Sequence, residues 1–178
     1  GSYAHPTQGL LDTLTILQHK GRVDGQSIAI VGDVRHSRVA RSAWHAFTAL
    51  GASDLRIVAP PALMPEAHEF AGCARSTRLE EGIAGCDVVM MLRIQKERMT
   101  EASIPGAEQY FAEWGLTPAR LRRAKPDAIV MPPQPMNRGI EIDSAVADGP
   151  QSVIREQVRN GGAVRMAVLE AVIAGRPA

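Results

Sequence analysis

Short apolar segments alternate with helix-like stretches along most of this chain, and this alternation is what most constrains its fold. The clearest segment covers residues 87–92, an apolar run that ends just before a cluster of charged residues. Similar segments occupy residues 27–31, 55–58 and 127–131, and a weaker one lies near residues 73–75. Strands that are apolar on both faces occur in parallel sheets covered on both sides. The sequence therefore predicts an α/β fold, with a parallel sheet of about five strands, helices on both faces and right-handed crossovers.

The stretches between these segments have the spacing of amphipathic helices. Thr7 is expected to cap the first helix, whose apolar face carries the leucines at positions 10, 11, 14 and 17. Ser37 is expected to begin a second helix, and shorter helices are predicted at residues 79–84 and 117–124. A long helix over residues 150–174 ends the chain, weakened midway by two adjacent glycines.

Length and composition limit the classes of protein to which the chain can belong. Its 178 residues suit one domain with a core of its own. A net charge of +1 gives no reason to expect a nucleic-acid partner, and no apolar run approaches a membrane span. Two cysteines without CxxC spacing favour a reducing, cytoplasmic location. The five histidines never fall at a metal-ligand spacing, so no metal is expected.

Three polar clusters follow predicted strands, at residues 33–38, 93–98 and 132–138. In an open parallel sheet, ligands bind outside the carboxyl ends of the strands. A dinucleotide site at the first cluster is disfavoured, because only Gly32 of the G-x-G-x-x-G pattern is present. The clusters therefore predict a binding site for another ligand at this edge of the sheet.

Two arginines in these clusters suit a ligand with carboxylates. Arg93 directly follows a strand that is buried on both faces, and Gln95 points to the same side if the backbone stays extended. Arg38 lies near the start of a helix, where backbone amides also attract anions. Together they indicate a dicarboxylate. The alternatives are that Arg38 is a solvated helix residue and that Arg93 belongs to a charged surface patch.

The segment His5-Pro6-Thr7-Gln8 places an imidazole and an amide at the start of the first helix. Histidine can donate a hydrogen bond to an oxygen that gains negative charge, and glutamine can accept one from an amide NH2. A plain helix start with an exposed histidine remains the alternative.

Five ordered segments of the chain resemble the carbamoyltransferase family, and its aspartate branch in particular. They are H-P-T-Q at 5–8, G-D-V-R-H-S-R-V-A-R-S at 32–42, M-L-R-I-Q-K-E-R-M at 91–99, K-P-D-A-I-V-M at 125–131 and M-N-R-G at 136–139. The resemblance covers nearly the whole chain. It implies a Rossmann-like fold for residues 1–178, which would be the second, aspartate-binding domain, with the domain that binds carbamoyl phosphate absent.

The resemblance also implies a reaction and a set of roles. The carbamoyl group of carbamoyl phosphate would pass to the amine of L-aspartate, a step of pyrimidine biosynthesis, with no cofactor. His5 would polarise the carbamoyl carbonyl, Gln8 would hold the NH2 group, and the backbone carbonyls of Gln134 and Pro135 would face the same group. The whole protein would be a homotrimer, and this chain alone would be inactive without its N-terminal domain.

The aspartate itself would be bound by the two arginines. By resemblance, Arg38 and Arg93 would hold its two carboxylates, and Gln95 would support them. An ornithine-type enzyme is a weaker match, because its H-C-L-P segment is absent.

One segment departs from the family pattern. Pro132-Pro133-Gln134-Pro135 stands where the family usually has H-P-G-P. Glutamine in place of glycine is expected to crowd the pocket or to require a backbone conformation that glutamine disfavours. This departure leaves open a non-catalytic binding or regulatory domain that kept the fold.

Overall fold

A computed structural model describes residues 3–94 and 106–175 of the chain. Their backbone forms helices and parallel strands in alternation, as predicted. In chain order the elements are α1 (Pro6–Lys20), β1 (Ser27–Val31), α2 (Arg38–Ala49), β2 (Asp54–Val58), a 3-10 turn (Pro61–Leu63), β3 (Ala74–Ser76), α3 (Leu79–Gly82), β4 (Val88–Met91), α4 (Ala107–Trp114), α5 (Pro118–Leu121), β5 (Ile129–Val130), α6 (Ser144–Ala147) and α7 (Ile154–Ile173).

The five strands form one parallel sheet in the order β3-β2-β1-β4-β5. β1 lies at its centre, in register with β2 from Ser27 opposite Asp54 and with β4 from Ile28 opposite Val88. After β1 the chain adds β2 and β3 on one side of it, and then crosses over to add β4 and β5 on the other side. The point between β1 and β4 is therefore the topological switch point, where such sheets bind their ligands.

Burial of the central strands confirms that both faces of the sheet are covered. Successive residues of a strand point to opposite faces, yet Ile28, Ala29, Ile30 and Val31 are all fully buried. β4 is buried along its whole length as well. The predicted fold class is confirmed.

Helix α1 differs from its predicted form at its start and on its surface. His5, not Thr7, is the N-cap residue, and no side chain caps the helix; Pro6 occupies the first turn, where its missing N–H costs nothing. Leu11 is buried, but Leu10 and Leu17 are 49% and 42% exposed. The apolar face predicted for α1 is thus only partly buried by the described residues.

The last helix begins later than predicted and runs unbroken through its glycines. α7 starts at Ile154, and Gly161 lies against α1, where a Cβ would come within 3.5 Å of Leu11 Cδ2. Its outer face is apolar: Met166, Leu169 and Val172 are all more than half exposed. Within the described ranges, no helix is both long and apolar enough to cross a membrane.

The structure also differs from the predictions in one missed helix, two shortened elements and one backbone conformation. Helix α4 was not predicted, the helix expected at 117–124 is confined to Pro118–Leu121, and the strand expected at 127–131 is reduced to Ile129–Val130. The strained backbone expected at Gln134 is also wrong. Among described non-glycine residues, Phe70 is the one with a positive φ, so glutamine fits the backbone at position 134.

Candidate functional site

The loops after β1 and β4 pass close to each other at a glycine. Gly32 follows β1 with φ near 110°, a conformation that side chains disfavour. A Cβ at this position would lie 2.9 Å from the carbonyl oxygen of Leu92, which follows β4. Gly32 is therefore required by packing, and it brings the loops after the two strands side by side.

A cavity of about 260 Å³ opens at this edge of the sheet, and six of the seven residues predicted for the site line it. They come from four separate parts of the chain: His5, Gln8, Arg38, Arg93, Gln134 and Pro135. Gln95 lies outside the described residues. Arg38 and Arg93 are both half-buried where they line the cavity.

Arg38 is positioned by the start of α2. The side chain of Ser37 caps the helix, its Oγ accepting a hydrogen bond of 3.0 Å from the Ala40 amide, as predicted. Arg38 is the first residue of the helix. In the preceding loop, buried Asp33 contacts His36, with 2.8 Å between Asp33 Oδ1 and His36 Nδ1. These two contacts fix the loop and the start of α2, and so they position Arg38 at the cavity.

His5 is held by two contacts, and its surroundings favour the neutral imidazole. Its backbone N–H donates to Ser42 Oγ at 2.8 Å, and its Nδ1 lies 3.3 Å from Thr7 Oγ1. Partial burial, together with the positive charges of Arg38 and Arg165, lowers the pKa of His5 below its usual value. In the tautomer whose Nδ1 accepts from Thr7 Oγ1, the ring proton lies on Nε2, where it can serve as a donor.

Helices α1 and α2 touch backbone to backbone beside the cavity. A Cβ on Gly9 would lie 2.9 Å from the carbonyl oxygen of Ser42. Ser42 also accepts the hydrogen bond from His5, so one residue of α2 fixes the start of α1 twice. Because α2 begins with Arg38, this contact sets the separation of the imidazole from that arginine.

Arg93 is positioned by a buried glutamate that the sequence analysis missed. Glu141 is 1% exposed, and its Oε1 accepts a 2.7 Å hydrogen bond from the Ile94 amide. The same side chain accepts two further hydrogen bonds, each 2.9 Å, from the backbone and side-chain amides of Asn137. Glu141 therefore ties the segment carrying Arg93 to the loop after β5. Glu141 lies in a loop and far from Arg93 in sequence, so no sequence pattern indicated its role.

Gln8 is held by a second buried carboxyl group, Asp12, which was also missed. Gln8 Nε2 donates to Asp12 Oδ1 at 3.0 Å, and Gln157 of α7 donates to the same oxygen at 2.8 Å. Burial, partly offset by the hydrogen bonds from Gln157 and Gln8, raises the pKa of Asp12 to about 7. The spacing of four residues from Gln8 was a usable signal, because it places both side chains on one face of a helix.

The cavity is suited to an anionic ligand and to hydrogen-bond donation. Two arginines line it, and none of its described lining residues is acidic. A neutral histidine can donate to a carbonyl oxygen, and an amide can both donate and accept. In the ranges the structure covers, no cluster of His, Cys, Asp or Glu could hold a metal ion.

Comparison with known proteins shows the family of the chain. Residues 24–172 match the family model described as aspartate/ornithine carbamoyltransferase, Asp/Orn binding domain. The chain is 56% identical over 172 residues to the aspartate carbamoyltransferase catalytic subunit of Azorhizobium caulinodans, covering 97% of this chain and 53% of that protein. The chain thus spans about half the length of this curated relative.

Solved structures give the same result. The ornithine carbamoyltransferase from Pyrococcus furiosus superposes with a TM-score of 0.80 at 28% identity, covering 94% of this chain and 56% of that one. The aspartate transcarbamoylase from Trypanosoma cruzi, in complex with carbamoyl phosphate and aspartate, superposes with a TM-score of 0.78 at 34% identity, covering 95% and 55%. Since the family model matches most of the sequence, the chain belongs to the aspartate/ornithine carbamoyltransferase family, as an Asp/Orn-binding domain.

Proposed function

We propose that this chain is the aspartate-binding half of an aspartate carbamoyltransferase. The observation that carries the proposal is the cavity in which Arg38 and Arg93 meet His5 and Gln8. Two arginines from neighbouring strand ends suit the two carboxylates of L-aspartate, since a guanidinium binds a carboxylate in a fixed, bidentate geometry. His5 and Gln8 suit the carbamoyl group.

In the proposed reaction, the aspartate amine attacks the carbamoyl carbon and the bond from that carbon to the phosphate oxygen breaks. The leaving phosphate accepts the amine proton. Nε2–H of His5 donates to the carbamoyl oxygen as it gains negative charge, and Gln8 accepts from the carbamoyl NH2. The chain's residues supply orientation and charge stabilisation, which need no covalent intermediate.

Ornithine is the competing amino substrate, and the charge of the cavity argues against it. The side chain of ornithine is a cation, and its binding would call for an acidic partner. The described residues that line the cavity offer two arginines and no carboxylate. The 56% identity to an aspartate enzyme, against 28% to an ornithine enzyme, supports the same choice.

The phosphate of carbamoyl phosphate would be bound mainly by a domain outside this chain. Two α/β domains of this kind need about 300 residues, and the matched relative is about twice as long as the matched segment. The exposed outer faces of α1 and α7 support such a neighbour. A groove of about 510 Å³ lies between them, lined by Leu10, Leu14, Val164, Val168 and Val172. We expect the isolated chain to be inactive for this reason.

The proposal is tested by assaying the whole protein with carbamoyl phosphate and either L-aspartate or L-ornithine. We expect carbamoyl-aspartate to form, and carbamoyl-ornithine to form far more slowly. Arg93→Ala should lower kcat/KM for aspartate by roughly 2–4 kcal/mol of transition-state binding, about 30- to 900-fold. Arg78→Ala is the matched control, because it removes an exposed arginine that pairs with Glu81 and does not line the cavity.

Three outcomes would contradict the proposal. The first is a preference for ornithine. The second is a kcat/KM for aspartate in Arg93→Ala within a few-fold of wild type. The third is carbamoyltransferase activity in the isolated 178-residue chain, which would refute the need for a second domain.

A further inference from the structure

Asp12 is a buried carboxyl group whose presence in α1 calls for an explanation. It is fully buried against α7, and none of the described residues offers it a cationic partner. Its Oδ2 has no hydrogen-bond partner within the described part of the chain. A buried acid without a counter-charge destabilises a fold, whereas an apolar residue at the same place would stabilise the contact between α1 and α7.

The hydrogen bonds of Asp12 fix which end of the Gln8 amide faces the cavity. Asp12 Oδ1 accepts from Gln8 Nε2 at 3.0 Å. If the amide were flipped, the oxygen of Gln8 would face Oδ1, and two acceptors would repel each other. The NH2 end is therefore directed at Asp12, and the carbonyl end of the amide is left for the cavity that both Gln8 and His5 line.

Gln157 strengthens this preference from the opposite helix. Its Nε2 donates to the same Oδ1 at 2.8 Å, so that oxygen receives two donors and acts purely as an acceptor. The contact joins α7 to α1 directly behind the cavity. Protonation of Asp12 would not reverse the orientation, because the proton would reside on Oδ2 and Oδ1 would remain a carbonyl oxygen.

We propose that Asp12 is a positioning residue that holds the Gln8 amide with its oxygen toward the carbamoyl group. The inference rests on the proposed function, in which Gln8 accepts a hydrogen bond from the carbamoyl NH2. Asp12 acts through Gln8 and does not itself line the cavity. Without Asp12, the Gln8 amide can rotate so that its NH2 faces the carbamoyl NH2, and two donors form no hydrogen bond.

A second polar contact between the same helices provides an internal comparison. Asn160 of α7 donates to Thr15 Oγ1 at 2.9 Å and to Gln18 Oε1 at 2.7 Å. None of these three residues lines the cavity. Thr15→Val therefore removes a buried polar contact between α1 and α7 without touching Gln8. It reports what such a contact contributes to folding alone.

The test uses the whole protein and measures kcat, KM for carbamoyl phosphate and Tm. Asp12→Leu should lower kcat/KM for carbamoyl phosphate at least tenfold, whereas Asp12→Asn, which keeps an acceptor oxygen, should stay within about threefold of wild type. Thr15→Val should lower Tm and leave kcat/KM within about twofold. In a Gln8→Ala background, Asp12→Leu should cause no further loss, since the residue through which it acts is gone.

Asp12→Ser is a second variant that keeps the inference testable if Asp12→Leu fails to fold. Its hydroxyl is too short to hold the Gln8 amide, yet it leaves a polar group at the interface, so we expect the same tenfold loss.

Several outcomes would overturn the inference while leaving the proposed function intact. In each of them the wild type is active. The first is an equal loss of kcat/KM in Asp12→Leu and Thr15→Val, and the second is an equal loss in Asp12→Asn and Asp12→Leu. The third is an undiminished effect of Asp12→Leu in the Gln8→Ala background. A wild-type protein without carbamoyltransferase activity would overturn the proposed function and this inference with it.

Discussion

Replacing Asp12 by asparagine should remove a pH dependence of stability that this one carboxyl group imposes on the fold. Its pKa is raised from 3.8 to about 7, chiefly by burial. Below pH 3.8 the carboxyl group is protonated in both the folded and the unfolded chain. Between the two pKa values the folded chain keeps the proton while the unfolded chain releases it. The free energy of unfolding therefore falls as pH rises through this window, and becomes level above the folded pKa.

The size of the effect follows from the two pKa values. The rise of the Asp12 pKa from 3.8 to about 7 corresponds to roughly 4 kcal/mol. Between pH 5 and pH 8, the linkage relation gives a loss of roughly 2–3 kcal/mol for this group. Asparagine at position 12 cannot ionise, so the variant should gain that amount relative to wild type over the same range.

The assay is urea unfolding of the 178-residue chain at pH 5 and pH 8, for wild type and Asp12→Asn. The difference between the two proteins cancels the other titrating groups. Asp54→Asn is the matched control, since the hydrogen bond from Arg56 holds the pKa of Asp54 below its usual value. Asp54 is then ionised in both states above pH 5, and its variant should show a pH-independent difference. A stability difference for Asp12→Asn that is equal at pH 5 and pH 8 would refute the reasoning.

Three further predictions concern the site and the exposed helices. His5→Gln keeps a donor and should retain more activity in the whole protein than His5→Ala; equal loss in both, with a wild-type rate that titrates at the usual imidazole pKa, would argue for a general base instead. Glu141→Ala strips the Ile94 amide of a buried partner and should lower the free energy of unfolding by roughly 2–3 kcal/mol while raising KM for aspartate; an unchanged KM would mean that Glu141 does not position Arg93. In hydrogen exchange of the isolated chain, β1 and β4 should be protected while α1 and α7 exchange early, and uniform protection would show that these helices need no partner domain.

The elements that the sequence predicted best are strands that are buried on both faces. β4 is buried on both faces, so it appears as a continuous apolar run that needs no knowledge of its neighbours. Arg38 and Arg93 were found for a related reason. Each follows a strand of the central sheet, and the carboxyl ends of parallel strands meet at one edge.

The elements that were missed depend on contacts distant in sequence. Asp12 is buried because α7, 145 residues further on, covers it, and no local pattern reports that. The same limit explains α1, where periodicity identified an apolar face but not what covers it. Leu10 and Leu17 are exposed here although their spacing is that of a buried stripe. Glu141 was missed because a loop glutamate is usually solvated, and only the folded loops bury it.

The contact between Gly9 and Ser42 has a consequence for attempts to stabilise this protein. Replacing a glycine inside a helix with alanine usually gains about 1 kcal/mol of helix propensity. At Gly162 of α7 that gain is available, because nothing lies within 4 Å of the added methyl group. At Gly9 the methyl group would meet the Ser42 carbonyl oxygen at 2.9 Å and push α1 away from α2. A design rule that treats all helical glycines alike would strengthen the helix at Gly9 and, in the same step, widen the cavity that His5 and Arg38 line.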